Sequence, residues 1–225
     1  MREQTGPDRA VQGWRLVLPV QRAERAKTRL LAPDGVSRPE LARAIALDTL
    51  DAVCRALPPE RVTVVTDDAG AAGRARELGA VVVPDPGAGL DAAIGRGLED
   101  AARRAGALEG ADGDLPGGGW AVLLGDLPAL RPEDLRAALA RCGEHERAVV
   151  PDAEGQGTVL LTSTRGIPRP QFGAGSAARH AVDATLLELD LPRLRRDVDR
   201  VEDLREALRL GVGARTRALL GSTAA

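Results

Sequence analysis

Trp120 to Leu130 reads WAVLLGDLPAL, a short apolar run that stops at Gly125 and a single carboxylate, Asp126, before a proline turn. Buried strands of an open α/β sheet present their carboxyl ends to ligands, so a bare aspartate at that position is a candidate metal ligand. Upstream, Leu16 to Val20 is a second apolar run, broken by Pro19, and Gln21 to Leu31 is a basic stretch without helical spacing. Ser37 and Glu40 have capping-box spacing ahead of Leu41, Ile45, Leu47, Leu50, Cys54 and Leu57, which predicts a helix running up to Pro58. Val62 to Thr66 and Ala80 to Val83 read as strands, with a helix over Asp67 to Leu78 between them. The loop Pro84 to Gly89 leads into a helix from Leu90 to about Leu108, and Gly110 to Gly119 forms a glycine-rich connector expected to be mobile at the surface.

Downstream of Asp126, Pro132 opens a helix through Leu135 and Leu139, followed by strands at Ala148 to Pro151 and Thr158 to Thr162. Phe172 to Ser176 is a glycine-containing loop before a helix carrying His180; Thr185 to Leu189 is a late strand and Val201 to Leu210 a closing helix. Strands alternating with helix-length segments predict an α/β three-layer sandwich with a mainly parallel central sheet. The irregular strands after Val150 are expected to add an antiparallel element. The whole chain, 1–225, is expected to be a single domain, with a nucleotide-binding part at 14–150, an acceptor-pocket part at 151–199 and C-terminal helices at 200–225.

With 225 residues and 44% hydrophobic content the chain can bury one sizeable core. Lys+Arg 31 against Asp+Glu 33 provides no bulk positive field for nucleic acid or anionic lipid, so an anionic ligand must be held by a local cluster. Two tryptophans, one phenylalanine and no tyrosine weigh against base-stacking platforms. Cys54 and Cys142 fall in predicted helices and not at metal-ligand spacing, which excludes a disulfide scaffold and fits a reducing cytoplasm. The start MREQTGPDRAVQGW, expected to be frayed, has no apolar signal core, and no apolar run is long enough to span a bilayer.

Three constellations could carry chemistry. LPVQRAERAKTRL, Leu18 to Leu30, places Arg22, Arg25, Lys27 and Arg29 in one loop after a strand end. It lacks P-loop spacing, and it reads equally as a solvated basic loop or as a strap that neutralises a triphosphate. The second pairs Asp126 with Asp199 of RRDVDRVED, Arg195 to Asp203. Mg²⁺ takes one or two carboxylates and leaves the rest of its shell to phosphates and water. Helix capping by Asp126, and by Asp197 or Asp199, is the competing explanation. The third joins DAEGQGT, Asp152 to Thr158, with FGAGSAARH, Phe172 to His180. Gly173, Gly175 and Ser176 ahead of a helix form an anion nest in outline, and Ser176 and His180 share a helical face, although a lone histidine is more often a satisfied surface residue. No GxSxG element and no cysteine–histidine pair stands out as a nucleophile.

In this order, LPVQRAERAKTRL, the DTL at Asp48, VVTDD at Val64, PGAGLDAAIGRG, LLGDLPAL, VPDAEGQGTVLL, FGAGSAARH and LRRDVDRVEDL make the chain resemble the 2-phospho-L-lactate and phosphoenolpyruvate guanylyltransferases of coenzyme F-420 biosynthesis, nucleotidyltransferases of GT-A-like fold. The likeness runs from Leu16 to about Leu220. It implies Mg²⁺-dependent transfer of GMP from GTP to the phosphate of a small three-carbon acid, with release of pyrophosphate. On this resemblance Lys27 and Asp126 are catalytic, and Asp126 and Asp199 hold metal. Pro19, Val20, Lys27, Thr66, Gly89 and Leu90 receive GTP, while Thr158, Gly173 and Ser176 receive the acceptor. Arg29, Asp91, His180 and Asp197 are weaker candidates. The chain departs from the family pattern at Thr28, where serine is usual, at Arg200, where threonine is usual, and at Asp91, where asparagine is usual and guanine is expected nearby.

The residue inventory suits such chemistry independently. An acceptor phosphate is anionic at neutral pH and needs no general base; it needs in-line positioning and counter-charge. Other acceptors, among them a sugar phosphate, a molybdopterin or 3-phosphoglycerate, would use the same strap and acids, and a GTP-binding regulatory module without turnover is the alternative from another class. A homodimer is left open.

Overall fold

The computed structural model describes residues 13–109 and 118–221; the expected frayed start and nearly all of the glycine-rich connector lie outside the described residues. Strand β1, Gly13–Pro19, runs parallel to β2, Val62–Val65, which runs parallel to β3, Val81–Val83. On the other flank of β1 lies β4, Gly118–Leu123, also parallel. Strand β6, Thr158–Ser163, pairs antiparallel with β4 and with β5, Arg147–Pro151, and the two-residue β7, Thr185–Leu186, pairs parallel with β5. The resulting seven-stranded sheet has the order β3-β2-β1-β4-β6-β5-β7. The antiparallel element expected after Val150 is therefore β6, wedged between β4 and β5.

Helix α1, Arg38–Ala56, starts where the sequence marks it: Ser37 caps through the Glu40 amide and the Glu40 carboxylate answers to the Ser37 amide. It packs with α2, Ala69–Glu77, and α4, Pro132–Cys142, against one face of the sheet, where Leu16, Leu18, Val62, Val64 and Leu123 are buried. Helix α3, Leu90–Glu109, covers the opposite face with Ala93, Ile94 and Leu98 over Val17, Val65 and Val122. Strands buried on both faces explain why Leu16 to Leu18 is continuously apolar instead of alternating. A side chain at Gly97 would lie 2.6 Å from methyl groups of Val17 and Val65, so its absence lets α3 approach the sheet.

The late elements are shorter than the sequence suggests. The expected strand Thr185 to Leu189 leaves the ladder after Leu187, because the Leu189 amide turns back to the Leu187 carbonyl at 3.0 Å. Helix α5, Ser176–His180, has only five residues, and the single turn α6, Pro192–Arg195, was not expected. Helices α7, Val201–Leu210, and α8, Ala214–Gly221, close the fold, α7 against Leu30, Leu41 and Ile45 and α8 on α1 through Asp48, which accepts from the Arg215 and Thr216 amides at 3.0 and 2.9 Å. Cys54 and Cys142 are free and buried, and burial pushes both thiols up to about 11. Among the described residues no helix is long and apolar enough to cross a membrane.

Candidate functional site

The carboxyl end of β4 carries the site. Leu124 extends the ladder by one bond to the Val159 carbonyl, and at Gly125 the chain passes so close to β1 that a Cβ would stand 2.8 Å from the Pro19 carbonyl oxygen. Asp126 is thereby set beside the exit of β1. Its backbone carbonyl accepts from the Val198 amide at 3.2 Å, which brings Asp199 to the same place. Lys27 reaches both acids from the basic loop: its Nζ donates to Asp126 Oδ2 and to Asp199 Oδ1, the latter at 2.7 Å. Lys27 is also the single non-glycine residue with positive φ among the described residues, at 54°, a conformation that costs free energy and is held by its surroundings.

The electrostatics follow from that meeting. Burial works against the Lys27 charge, but Asp126 and Asp199 outweigh it, and the ammonium pKa is raised. Asp197 is pushed up to about 8, first by burial and then by the neighbouring charges of Asp126 and Asp199. Asp126 Oδ1 is buried without a hydrogen-bond partner. A buried carboxylate oxygen left unpaired is costly unless a cation or donor meets it. Two carboxylates already converging on one positive group, with one carboxylate oxygen unpartnered, fit a divalent ion such as Mg²⁺.

Helix capping does not account for these acids. The N-cap position of α4 is Arg131 and that of α7 is Arg200. Asp203, from within α7, takes the Asp199 and Arg200 amides at 3.1 and 2.8 Å, so neither Asp197 nor Asp199 serves as the cap.

The loop bearing Lys27 is fastened by residues the sequence reading did not single out. Asp68 caps α2 through the Ala71 amide at 2.9 Å, accepts from the Ala23 amide at 3.2 Å, and receives Arg43 Nε and Nη2 at 3.2 and 3.0 Å. Burial alone would raise the Asp68 pKa, but Arg43 and the two amides bring it below the usual value. Arg38 donates to the carbonyls of Ala26 and Glu24. The one sequence signal for this lock was the paired aspartate of VVTDD; nothing marked Arg43 as its partner.

Two adjoining clefts share Pro19, Val20, Gln21 and Leu90. One lies between Lys27, Asp126 and Asp199 and the α1 residues Ala42, Ile45 and Ala46; the other lies between Arg22 and Arg25 and the turn carrying Asp85, Gly87 and Gly89. Arg29 lines a polar groove with Arg25, Thr28 and Asp199. Thr66 is buried, and its Oγ1 accepts from the Asp68 amide at 3.0 Å, a bond that shapes the turn after β2.

On the far side of β4 the acceptor candidates form a second constellation. The Gln171 amide donates to His180 Nε2 at 2.9 Å, so the proton of the neutral ring is on Nδ1, which donates to Thr158 Oγ1 at 2.9 Å. The Thr158 hydroxyl hydrogen is then left for another acceptor. His180 is buried and not a surface histidine, and that burial lowers its pKa, favouring the neutral ring. Gly173 has φ +108°. The expected nest of free amides is partly spent: the Ser176 amide bonds the Gly173 carbonyl at 3.0 Å and the Ala177 amide bonds the Gln156 carbonyl at 3.1 Å. With five residues, α5 also has little dipole to offer. Arg179 holds the loop by donating to the carbonyls of Gln171, Phe172 and Ala174. Asp91, expected beside a base, commits Oδ1 to the Phe172 amide at 2.8 Å. A further acidic group, Asp152, Glu154 and Asp197, gathers beside this region, with Glu154 paired to Arg196 at 2.6 Å.

Residues 41–187 match the model of the MobA-like NTP transferase domain. A protein of Salinispora arenicola named phosphoenolpyruvate guanylyltransferase is 46% identical over 221 residues, covering 95% of this chain and 96% of that protein. One of the same name from Streptomyces coelicolor is 47% identical over 212 residues, covering 92% and 95%. Among solved structures, a provisionally named nucleotide-diphospho-sugar transferase from Desulfovibrio desulfuricans G20 superposes with a TM-score of 0.57 at 18% identity, covering 95% of this chain and 94% of that one; it supports the GT-A-like fold alone.

Proposed function

The chain belongs to the MobA-like NTP transferase family and is a nucleotidyltransferase, and from that premise we propose that it transfers GMP from GTP to the phosphate of phosphoenolpyruvate, releasing pyrophosphate, as a step of coenzyme F-420 biosynthesis in the cytoplasm. The observation that carries this reading is the meeting of Lys27 Nζ with Asp126 and Asp199 at the strand ends, beside two clefts able to take the two halves of a nucleotide. The relatives' names supply the nucleotide and the acceptor.

An oxygen of the acceptor phosphate attacks the α-phosphorus of GTP in line. The new bond is acceptor oxygen to α-phosphorus; the bond that breaks joins the α-phosphorus to the bridging oxygen, which leaves with pyrophosphate. The attacking oxygen is already anionic, so no side chain has to take a proton. Asp126 and Asp199 would hold Mg²⁺, which would supply positive charge against the oxygens of the transferring group. Lys27 neutralises the nucleotide phosphates from the strap, and Arg22, Arg25 and Arg29 add to the field there. Thr158 offers its hydroxyl hydrogen to the acceptor, and Gly173 and Ser176 shape the pocket around it. Every group assigned comes from one copy of the chain.

The test is pyrophosphate release by the purified protein with GTP, Mg²⁺ and phosphoenolpyruvate, run beside 2-phospho-L-lactate and 3-phosphoglycerate and with ATP, CTP and UTP in place of GTP. Turnover is expected with GTP and phosphoenolpyruvate. The reading fails if that pair is silent while another pair reacts.

A further inference from the structure

The loop beside the nucleotide cleft and the loop beside Thr158 are joined through the first turn of α3. Leu90 opens that helix and lines both clefts. The next residue, Asp91, accepts the Phe172 amide through Oδ1 at 2.8 Å, a bond between positions 81 apart in sequence. Phe172 is buried in the same cluster as Ala93 and Ile94 of α3, and its amide bond to Asp91 ties the segment to the start of that helix. That ring meets His180 edge-on with centroids 5.0 Å apart, and His180 in turn holds Thr158. Gly173, which follows Phe172 directly, has a φ few other residues adopt and imposes little direction of its own. Phe172 thus sets the direction in which the loop Gly173 to Ser176 starts, and Arg179 holds it further on at the Ala174 carbonyl.

A carboxylate here has a cost. It adds negative charge beside a path that two anions must enter, whereas an amide oxygen would accept the same bond without it. The compensation is a stronger bond, since an ionised acceptor binds an N–H group more tightly than a neutral one. We propose that Asp91 is a positioning residue that couples the two sites: ordering the turn Asp85 to Leu90 around a nucleotide steadies the start of α3, and the Asp91–Phe172 bond passes that order to the acceptor loop. The coupling is reciprocal, so acceptor also tightens nucleotide. This rests on the proposed assignment of the clefts to nucleotide and of the Thr158 region to acceptor.

Initial rates of Asp91→Ala, varying each substrate with the other saturating, are expected to show KM for the acid and KM for GTP both raised about tenfold, the loss of one good hydrogen bond, with kcat and the Kd of GTP measured without the acid within about threefold of wild type. Asp91→Asn keeps an accepting oxygen and is expected to recover most of the loss. A rise confined to one KM, no rise in either, a Kd for GTP alone that rises as far as its KM, or an Asn variant as impaired as Ala overturns the proposal. Amide exchange separates positioning from misfolding: in the wild type GTP should slow exchange at Phe172, and Asp91→Ala should abolish that slowing with sheet amides unchanged. Faster exchange throughout the sheet, or GTP protection that persists in the Ala variant, counts against it. If wild type does not react with GTP and phosphoenolpyruvate, the proposed function fails, while the joint rise of both KM values on the pair that does react, and the exchange experiment on binding alone, still decide the role of Asp91.

Discussion

The two flanks of β4 hold their functional side chains by different physics. Toward β1 the binding is charge on charge across long stretches of sequence: Lys27 with Asp126 and Asp199, Arg43 with Asp68. Toward β6 a neutral imidazole, a hydroxyl and backbone groups do the same work, with Arg179 spent on carbonyls. The first arrangement can trade one cation for another and stay satisfied. The second can only be intact or broken, because His180 Nε2 cannot both accept from Gln171 and carry a proton. The nucleotide flank should therefore answer to divalent ions and the acceptor flank to pH.

The largest expected effect is at Asp126. Asp126→Asn keeps the shape but removes the charge that faces Lys27 and the proposed ion, and kcat should fall about a hundred- to a thousandfold, with the circular dichroism spectrum and melting behaviour close to wild type. Undiminished turnover would reduce Asp126 to a structural partner of Lys27. Next is Lys27→Ala. Two carboxylates then converge with no cation between them, and in EDTA the folded state should lose about 1–3 kcal/mol, less than a fully buried broken pair because Asp199 is largely exposed. Added Mg²⁺ should restore much of that loss. A denaturation midpoint indifferent to Mg²⁺ in this variant would erase the distinction between the flanks.

The same division decides what the sequence discloses. The alternation that predicts the parallel half is local: the Ser37–Glu40 box, the valine run ended by Pro84 and the apolar run before Gly125 each carry their own signal. Asp126 stands out because it directly follows an apolar strand, while for it and Asp199 the sequence leaves metal binding and helix capping equally open; their convergence on Lys27 depends on the Val198 pairing, which no spacing reveals. Arg43 stayed hidden since a helix-surface arginine 25 positions from its aspartate looks like any solvated charge. Beyond Val150 and outside β6, single backbone bonds such as Ala153 to the Arg195 carbonyl at 2.8 Å fix the path of the chain, and periodicity does not register these. So the sequence predicts β7 too long, gives no sign of α6, and favours a surface placement for His180 beside its weaker reading as a site residue.

The smallest expected effect concerns that histidine, and its sign is set by burial. The folded pKa of His180 lies below 6.5, so the bonds it makes are fully present above 6.5 and are lost as pH falls from there through the lowered value. Protonation forces Nε2 from acceptor to donor and turns it against the Gln171 amide. The stability so lost should be on the order of 1 kcal/mol, the worth of a hydrogen bond or two. Asp197, pushed up to about 8, acts with the opposite sign over an overlapping range, losing stability as pH rises toward that value. The quantity to read is therefore the difference between wild type and His180→Phe in urea midpoints from pH 7.5 down to 5. The wild-type advantage should shrink toward the acid end, and KM for the acceptor should rise over the same interval while KM for GTP holds. A difference that stays flat with pH would mean that the imidazole holds Thr158 by packing alone, and the acceptor flank would then be no more sensitive to protons than the nucleotide flank.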